Sequence, residues 1–156
     1  KIFSVLLLLA ILTSLIKIYV SKLEKDLAKA KAPIIINLLT SVHPNLPWEF
    51  KAKNSKIVIN PGDVMTIEYL VENLLNKETA GIATFAYFPK EFGNYIKKLN
   101  CFCYDAKTLK PNQQETYSVV ILMDPEVTKD SKTKNIKEVT IQFTFFNYKE
   151  YKEKQS

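Results

Sequence analysis

Two cysteines are the side chains in this chain best suited to hold a metal or exchange electrons, and they stand two residues apart, as Cys101-Phe102-Cys103. In an extended strand, residues i and i+2 share a face, so Cys101 and Cys103 would project side by side with Phe102 turned the other way into a core. Their Cβ atoms would then lie roughly 6.5–7 Å apart, at ~3.3 Å of rise per residue. A disulfide needs about 3.5–4.5 Å, so bonding the two sulfurs would require the strand to buckle. Two parallel thiols can instead lean toward one soft ion. Thiolates select Cu(I), or Zn(II) where more ligands are at hand. Zinc asks for four ligands, and the remaining candidates are His43, Met65 and Met123. On spacing alone three readings stand: small core hydrophobes, a metal pair, or a redox or intermolecular disulfide.

Other chemistry finds little support. His43, the one histidine, falls in a loop ahead of two prolines. No GxSxG, P-loop, GxGxxG or HExxH is present, and the acids are scattered through turns and polar faces. The cysteine spacing is also not the Cys-x-x-Cys of the usual thiol oxidoreductase. The sequence is therefore not expected to encode an enzyme. A net charge of +6 raises nucleic acid as a partner. Residues 1–32 hold six lysines against two acids, however, and residues 33–156 hold sixteen against fourteen. All 22 basic residues are lysine, and a phosphate or base reader without a bidentate guanidinium would be unusual. No nucleic-acid partner is expected.

The elements that position the cysteines follow from hydropathy. Residues 2–16, IFSVLLLLAILTSLI, carry no charge, and Lys17, Ile18, Tyr19 and Val20 follow. As a helix, residues 2–20 would span about 28 Å, close to the ~30 Å hydrocarbon layer. Residues 1–20 are thus expected to be a transmembrane signal-anchor, 21–32 a helical stalk ended by Pro33, 33–147 a folded domain and 148–156 a frayed charged tail. A cleaved signal is the rival for the apolar start, with AKA at 28–30 as a distant cleavage site. Past Pro33, apolar stretches alternate with turn signals: 34–39, 46–53, 55–60, 64–73, 81–88, 92–104, 116–123 and 136–146. Met65, Ile67, Tyr69 and Val71 share one face of their segment. No amphipathic helix is read after residue 32. Seven or eight strands at this spacing predict an all-β, antiparallel β-sandwich.

In that setting the chain resembles the CtaG family of cytochrome c oxidase assembly proteins. The matching stretches run in the family's order: LPWEF (46–50), INPGD (59–63), ATFAYFPKEFGNYIKKLNCFCY (83–104), LKP (109–111), MDPE (123–126) and VTIQFTFF (139–146). The resemblance implies an immunoglobulin-like sandwich behind one transmembrane helix. It implies Cu(I) as cargo, Cys101 and Cys103 as its ligands and Phe102 as spacer. It also implies delivery to the copper B centre of cytochrome c oxidase subunit I, with a copper donor protein upstream; because two sulfurs leave the metal open, a copper-bridged homodimer is one expected way to complete the site. The domain would face the bacterial periplasm, or the intermembrane space from the mitochondrial inner membrane. The flanking lysines argue for the opposite orientation: five follow the apolar run within residues 17–31, against Lys1 ahead of it. Three departures stand out. KIYVSKLEKDL (17–27) lacks the cysteine that the family often carries after its membrane helix. Tyr117-Ser118 replaces the family's Met-Pro pair, and Asp105-Ala106-Lys107 replaces a more acidic run. Beside the chaperone, a thiol redox factor and an anchored interaction module remain as alternatives.

Overall fold

The computed structural model describes residues 2–30 and 32–155, with side chains for all of these except residues 2, 3, 5, 6 and 28–30. Two compact units divide the chain at residues 32 and 33. The first is a single helix, α1 (Ile2–Ala30). Its apolar side chains that are described, from Leu7 to Leu27, are exposed. Among the described residues no helix is long and apolar enough to cross a membrane. Part of the apolar run expected to do so (residues 2, 3, 5 and 6) lies outside the described side chains.

The second unit holds nine strands among the described residues: β1 (Ile34–Val42), β2 (Trp48–Ala52), β3 (Lys56–Ile59), β4 (Val64–Asn73), β5 (Thr79–Phe88), β6 (Ile96–Cys101), β7 (Lys107–Leu109), β8 (Gln114–Met123) and β9 (Glu138–Asn147). They form two sheets, ordered β3-β1-β9-β5-β7 and β2-β4-β8-β6. Alternation decides which side chains meet between them. Val139, Ile141, Phe143 and Phe145 of β9 are buried, as are Ile67, Tyr69 and Val71 of β4 and Val119, Ile121 and Met123 of β8. Phe50 meets Phe145 edge-on at 4.8 Å between centroids, and Tyr69 meets Phe143 at 5.4 Å, so the buried faces oppose one another. The turn at 60–63 needs its glycine: Gly62 has φ +93° behind Pro61, and the amide of Asp63 closes onto the carbonyl of Asn60 at 3.0 Å.

The expected sandwich needs three corrections. Its pairing is not wholly antiparallel, because β1 runs parallel to β9 from Ile35–Glu138 to Val42–Phe145. Strand periodicity carries no sign of direction, so it could not have shown this. The expected frayed tail begins with a helix, α2 (Tyr148–Glu153), capped by the Asn147 side chain, which accepts from the amides of Lys149 and Glu150. The segment expected to carry one strand through residue 104 stops pairing at Cys101.

At one end the two sheets are tied by Asn73, a fully buried polar residue. Its amide donates to the carbonyls of Lys77 (2.8 Å), Leu109 (3.2 Å) and Lys110 (3.0 Å), and its oxygen accepts from the Leu75 amide (3.1 Å). Nearby, Gly81 lets Trp48 close on β5, since a Cβ there would sit 2.8 Å from the indole. Replacing Asn73 with Ala leaves these backbone groups unpaired and should cost about 2–3 kcal/mol. Urea unfolding followed by Trp48 fluorescence measures it. Asn73→Asp should cost more, because it aims a carboxylate at three carbonyls.

Candidate metal centre

β6 is the outer strand of its sheet and carries the cysteines at its end. Its ladder with β8 runs from Ile96–Met123 to Cys101–Val119, with an irregularity between Lys98 and Asn100. Such a bulge twists a strand and often marks the place where pairing ends. After Cys101 the chain turns into a short 3-10 segment, Phe102–Tyr104. The amide of Cys103 donates to the Cys101 sulfur at 3.1 Å, so the first cysteine caps the turn that holds the second.

This geometry overturns the expectation of a flat strand with both cysteines on one face and Phe102 on the other. The turn shortens the Cα–Cα distance to 5.1 Å, and the two sulfurs are joined in a disulfide. The buckling that a bond between neighbours at i and i+2 demands has occurred. Cys101 is 5% exposed, Phe102 is 6% exposed and Cys103 is half-buried. Phe102 does pack as core. Its ring lies 5.1 Å from Phe143, 5.5 Å from Tyr69, 5.7 Å from Tyr117, 5.8 Å from Phe145 and 6.1 Å from Phe50.

The surroundings are aromatic and poor in further ligands. Among the described residues no group of three or more His, Cys, Asp or Glu gathers as a metal site. His43 meets Phe146 at a tilt, 5.5 Å between centroids, and lines a pocket with Asn147, Glu150 and Tyr151 of the α2 region. Met123 is fully buried opposite Ile96, at the far end of the β6 ladder from Cys101. Met65 pairs with Ile121, further along β8 from Val119. None of the three is brought to the sulfurs, so the pairing of Cys101 with Cys103 gains no thioether or imidazole from them.

Three residues outside that reading shape the site. Tyr104 donates from its hydroxyl to the Lys98 carbonyl at 2.9 Å, fastening the turn to the bulge. Lys98 holds its ammonium 3.3 Å from the Phe85 ring centroid and donates to the Tyr87 hydroxyl at 2.9 Å. Burial lowers its pKa. Tyr117 stacks on Phe102, and its phenol is raised to about 12, by burial first and then by Glu115, which keeps it neutral. In sequence Lys98 and Tyr104 carried only the signal of lying near the cysteines, and Tyr117 only that of standing where the family has a Met-Pro pair.

A profile of the family "Cytochrome c oxidase assembly protein CtaG/Cox11" matches residues 13–147. The chain belongs to this family of cytochrome c oxidase assembly proteins. Relatives named "Cytochrome c oxidase assembly protein CtaG" include one from Bradyrhizobium diazoefficiens, 33% identical over 117 residues, covering 75% of this chain and 55% of the relative. One from Ehrlichia ruminantium (strain Gardel) is 34% identical over 120 residues, covering 77% and 68%. One from Brucella ovis is 38% identical over 101 residues, covering 65% and 50%. This chain thus spans half to two thirds of the length of these relatives, and α2 falls beyond the family match.

Truncating Phe102 to Ala should cost about 3–5 kcal/mol, because it leaves a hole lined by five rings that cannot collapse around it. Phe102→Leu, which keeps most of the volume, should cost less. Urea midpoints of the reduced protein report both, and neither difference should depend on added metal.

Proposed function

We propose that this protein is a membrane-anchored copper chaperone that holds Cu(I) between Cys101 and Cys103 and hands it to the copper B centre of cytochrome c oxidase subunit I during assembly. The observation that carries the reading is the convergence of the two sulfurs on a turn pinned by Phe102, with Cys103 half-buried at its surface. Membership of an oxidase assembly family supplies the process. Two sulfurs without a third ligand suit a soft ion of low coordination number better than zinc.

The disulfide is the form of the pair that cannot take the metal. Reduction by an external dithiol, which is itself oxidised to a disulfide, adds two electrons and two protons and leaves two thiols. Cu(I) then displaces both protons and forms a thiolate pair with a single negative charge. Because that ion keeps open positions, an acceptor can enter before a cysteine leaves, and transfer proceeds by ligand exchange. A second domain sharing the metal would close those positions, which is how a copper-bridged homodimer fits the same chemistry. A copper donor protein would load the site by the same exchange. No substrate is turned over, so the protein is read as a carrier and not an enzyme.

The anchor belongs to the same proposal. The anchor, read over residues 1–20, draws support from the length of about 28 Å that residues 2–20 would span as a helix and from exposed apolar side chains such as Leu8, Leu12 and Leu15. In this reading the sandwich is immunoglobulin-like and lies outside the cytoplasm, in the periplasm or the intermembrane space, where the oxidase site is loaded. The Cys101–Cys103 bond favours a second reading, a thiol redox factor that exchanges disulfides with an assembly partner.

Anaerobic Cu(I) titration of the reduced full chain in detergent, read by native mass spectrometry, separates the two. Copper uptake should be lost in Cys101→Ser and in Cys103→Ser, and absent from the oxidised protein. Retention of copper by the double substitution would end the chaperone reading. A wild type that stays copper-free with both thiols titratable would favour the redox factor.

A further inference from the structure

Along the sequence, the positive charge of the sandwich is concentrated in the stretch that contains the cysteine turn. Residues 89–110 hold five lysines and two acids, Glu91 and Asp105, whereas residues 33–156 together hold sixteen and fourteen. The rest of the sandwich is therefore slightly acidic, and several of its lysines are neutralised in place, as in Lys53–Glu68, Lys56–Glu138 and Lys129–Glu126.

The two lysines set closest around the turn are held differently. Lys98 rests on Phe85 and bonds the Tyr87 hydroxyl. Lys107 stands 5.9 Å from the Tyr117 ring centroid, and that ring stacks on Phe102. On the other side, Phe85 reaches Phe102 through Phe143, at 6.0 and 5.1 Å. What positions each cation is a ring or a phenol and not a carboxylate.

The rings beneath Lys98 are uncovered for a structural reason. Gly81 and Ala83 of β5 are buried and face inward, and Phe85 and Tyr87 continue the same face. β7 pairs only with residues 79–81 of β5, and β6 belongs to the other sheet. Phe85 is consequently 40% exposed, with Tyr104 exposed nearby; Tyr104 is close enough to Tyr87 to help hold that phenol up at about 12, after burial. Exposed rings around cations set on aromatic faces, Lys98 partly desolvated among them, are what an acidic protein partner binds: carboxylates pair with the cations, and aromatics supply contact area.

We propose that the face around the Cys-Phe-Cys turn is a docking surface for an acidic segment of a partner protein, with Lys98 and Lys107 as its two fixed cations. This deepens the chaperone reading by giving the chemistry of the protein that meets the metal site. Its test uses no copper, so the two can fail separately.

The probe is a short synthetic peptide of alternating Glu and Ser, with a Lys/Ser peptide as control. The full chain, reduced and in zwitterionic detergent, is alkylated with neutral iodoacetamide, and the rate is compared with and without peptide at one pH. The Glu/Ser peptide should slow alkylation about threefold or more at low salt, with the protection removed by high salt. Protection should disappear in Lys98→Gln/Lys107→Gln, survive in Lys98→Arg, and be unchanged in Lys134→Gln on a distant loop. Absence of protection, or protection that survives the double substitution, overturns the proposal. Protection by phosphatidylglycerol-containing vesicles over pure phosphatidylcholine, with none from the peptide, overturns it in favour of lipid. Protection that grows with protein concentration alone overturns it in favour of a second copy.

Discussion

The ring of Phe102 sits among Phe50, Tyr69, Tyr117, Phe143 and Phe145, which come from β2, β4, β8 and β9 and from both sheets. The cysteines occupy the positions on either side of that ring, so their place is set by this aromatic cluster of the core. Backbone geometry adds the rest. β6 loses its partner after Cys101, the chain turns, and the second sulfur swings back toward the first. A ligand pair on a free loop would have to be ordered at the moment of binding, at a cost in conformational entropy. Here folding of the core has already met most of that cost.

The same constraint accounts for what the site lacks. Inward positions near Phe102 are filled by aromatic rings, which offer no strong metal donor. Met123 and Met65 belong to other parts of the strand ladders, and His43 packs against Phe146. In the proposed reading, a reduced two-sulfur site in this aromatic setting would hold a soft ion without enclosing it. That suits a carrier, whose cargo has to leave again. One buried group stays without a place in this account: the hydroxyl of Tyr69 has no hydrogen-bond partner, and burial pushes its pKa up.

Much of the sandwich could be read from period-2 burial. The alternation over 64–73 and 139–146 gives the inward faces of β4 and β9, and Asn60-Pro61-Gly62-Asp63 gives the turn between β3 and β4. Pairing partners were not legible in this way. The parallel β1–β9 contact joins segments about a hundred residues apart, and neither sequence marks its direction. Cys101, Phe102 and Cys103 could be picked out by type and spacing, yet the turn could not. A strand and a 3-10 segment place Phe102 equally well in a core, and what separates them is the bulge at Lys98–Asn100 and the absence of a β8 partner beyond Val119. Lys98 and Tyr104 were silent for the same reason, since their roles exist only once the turn has formed.

The central claim is that the folded turn presents two sulfurs, and nothing else from this chain, to one soft metal ion. Copper K-edge X-ray absorption on the full chain, reduced and loaded with Cu(I), tests it most directly. The account predicts a Cu(I) edge and a first shell of sulfur alone, lost when Cys101 and Cys103 are both replaced by Ser. A first shell containing nitrogen or oxygen, or one that persists without these two cysteines, would contradict it.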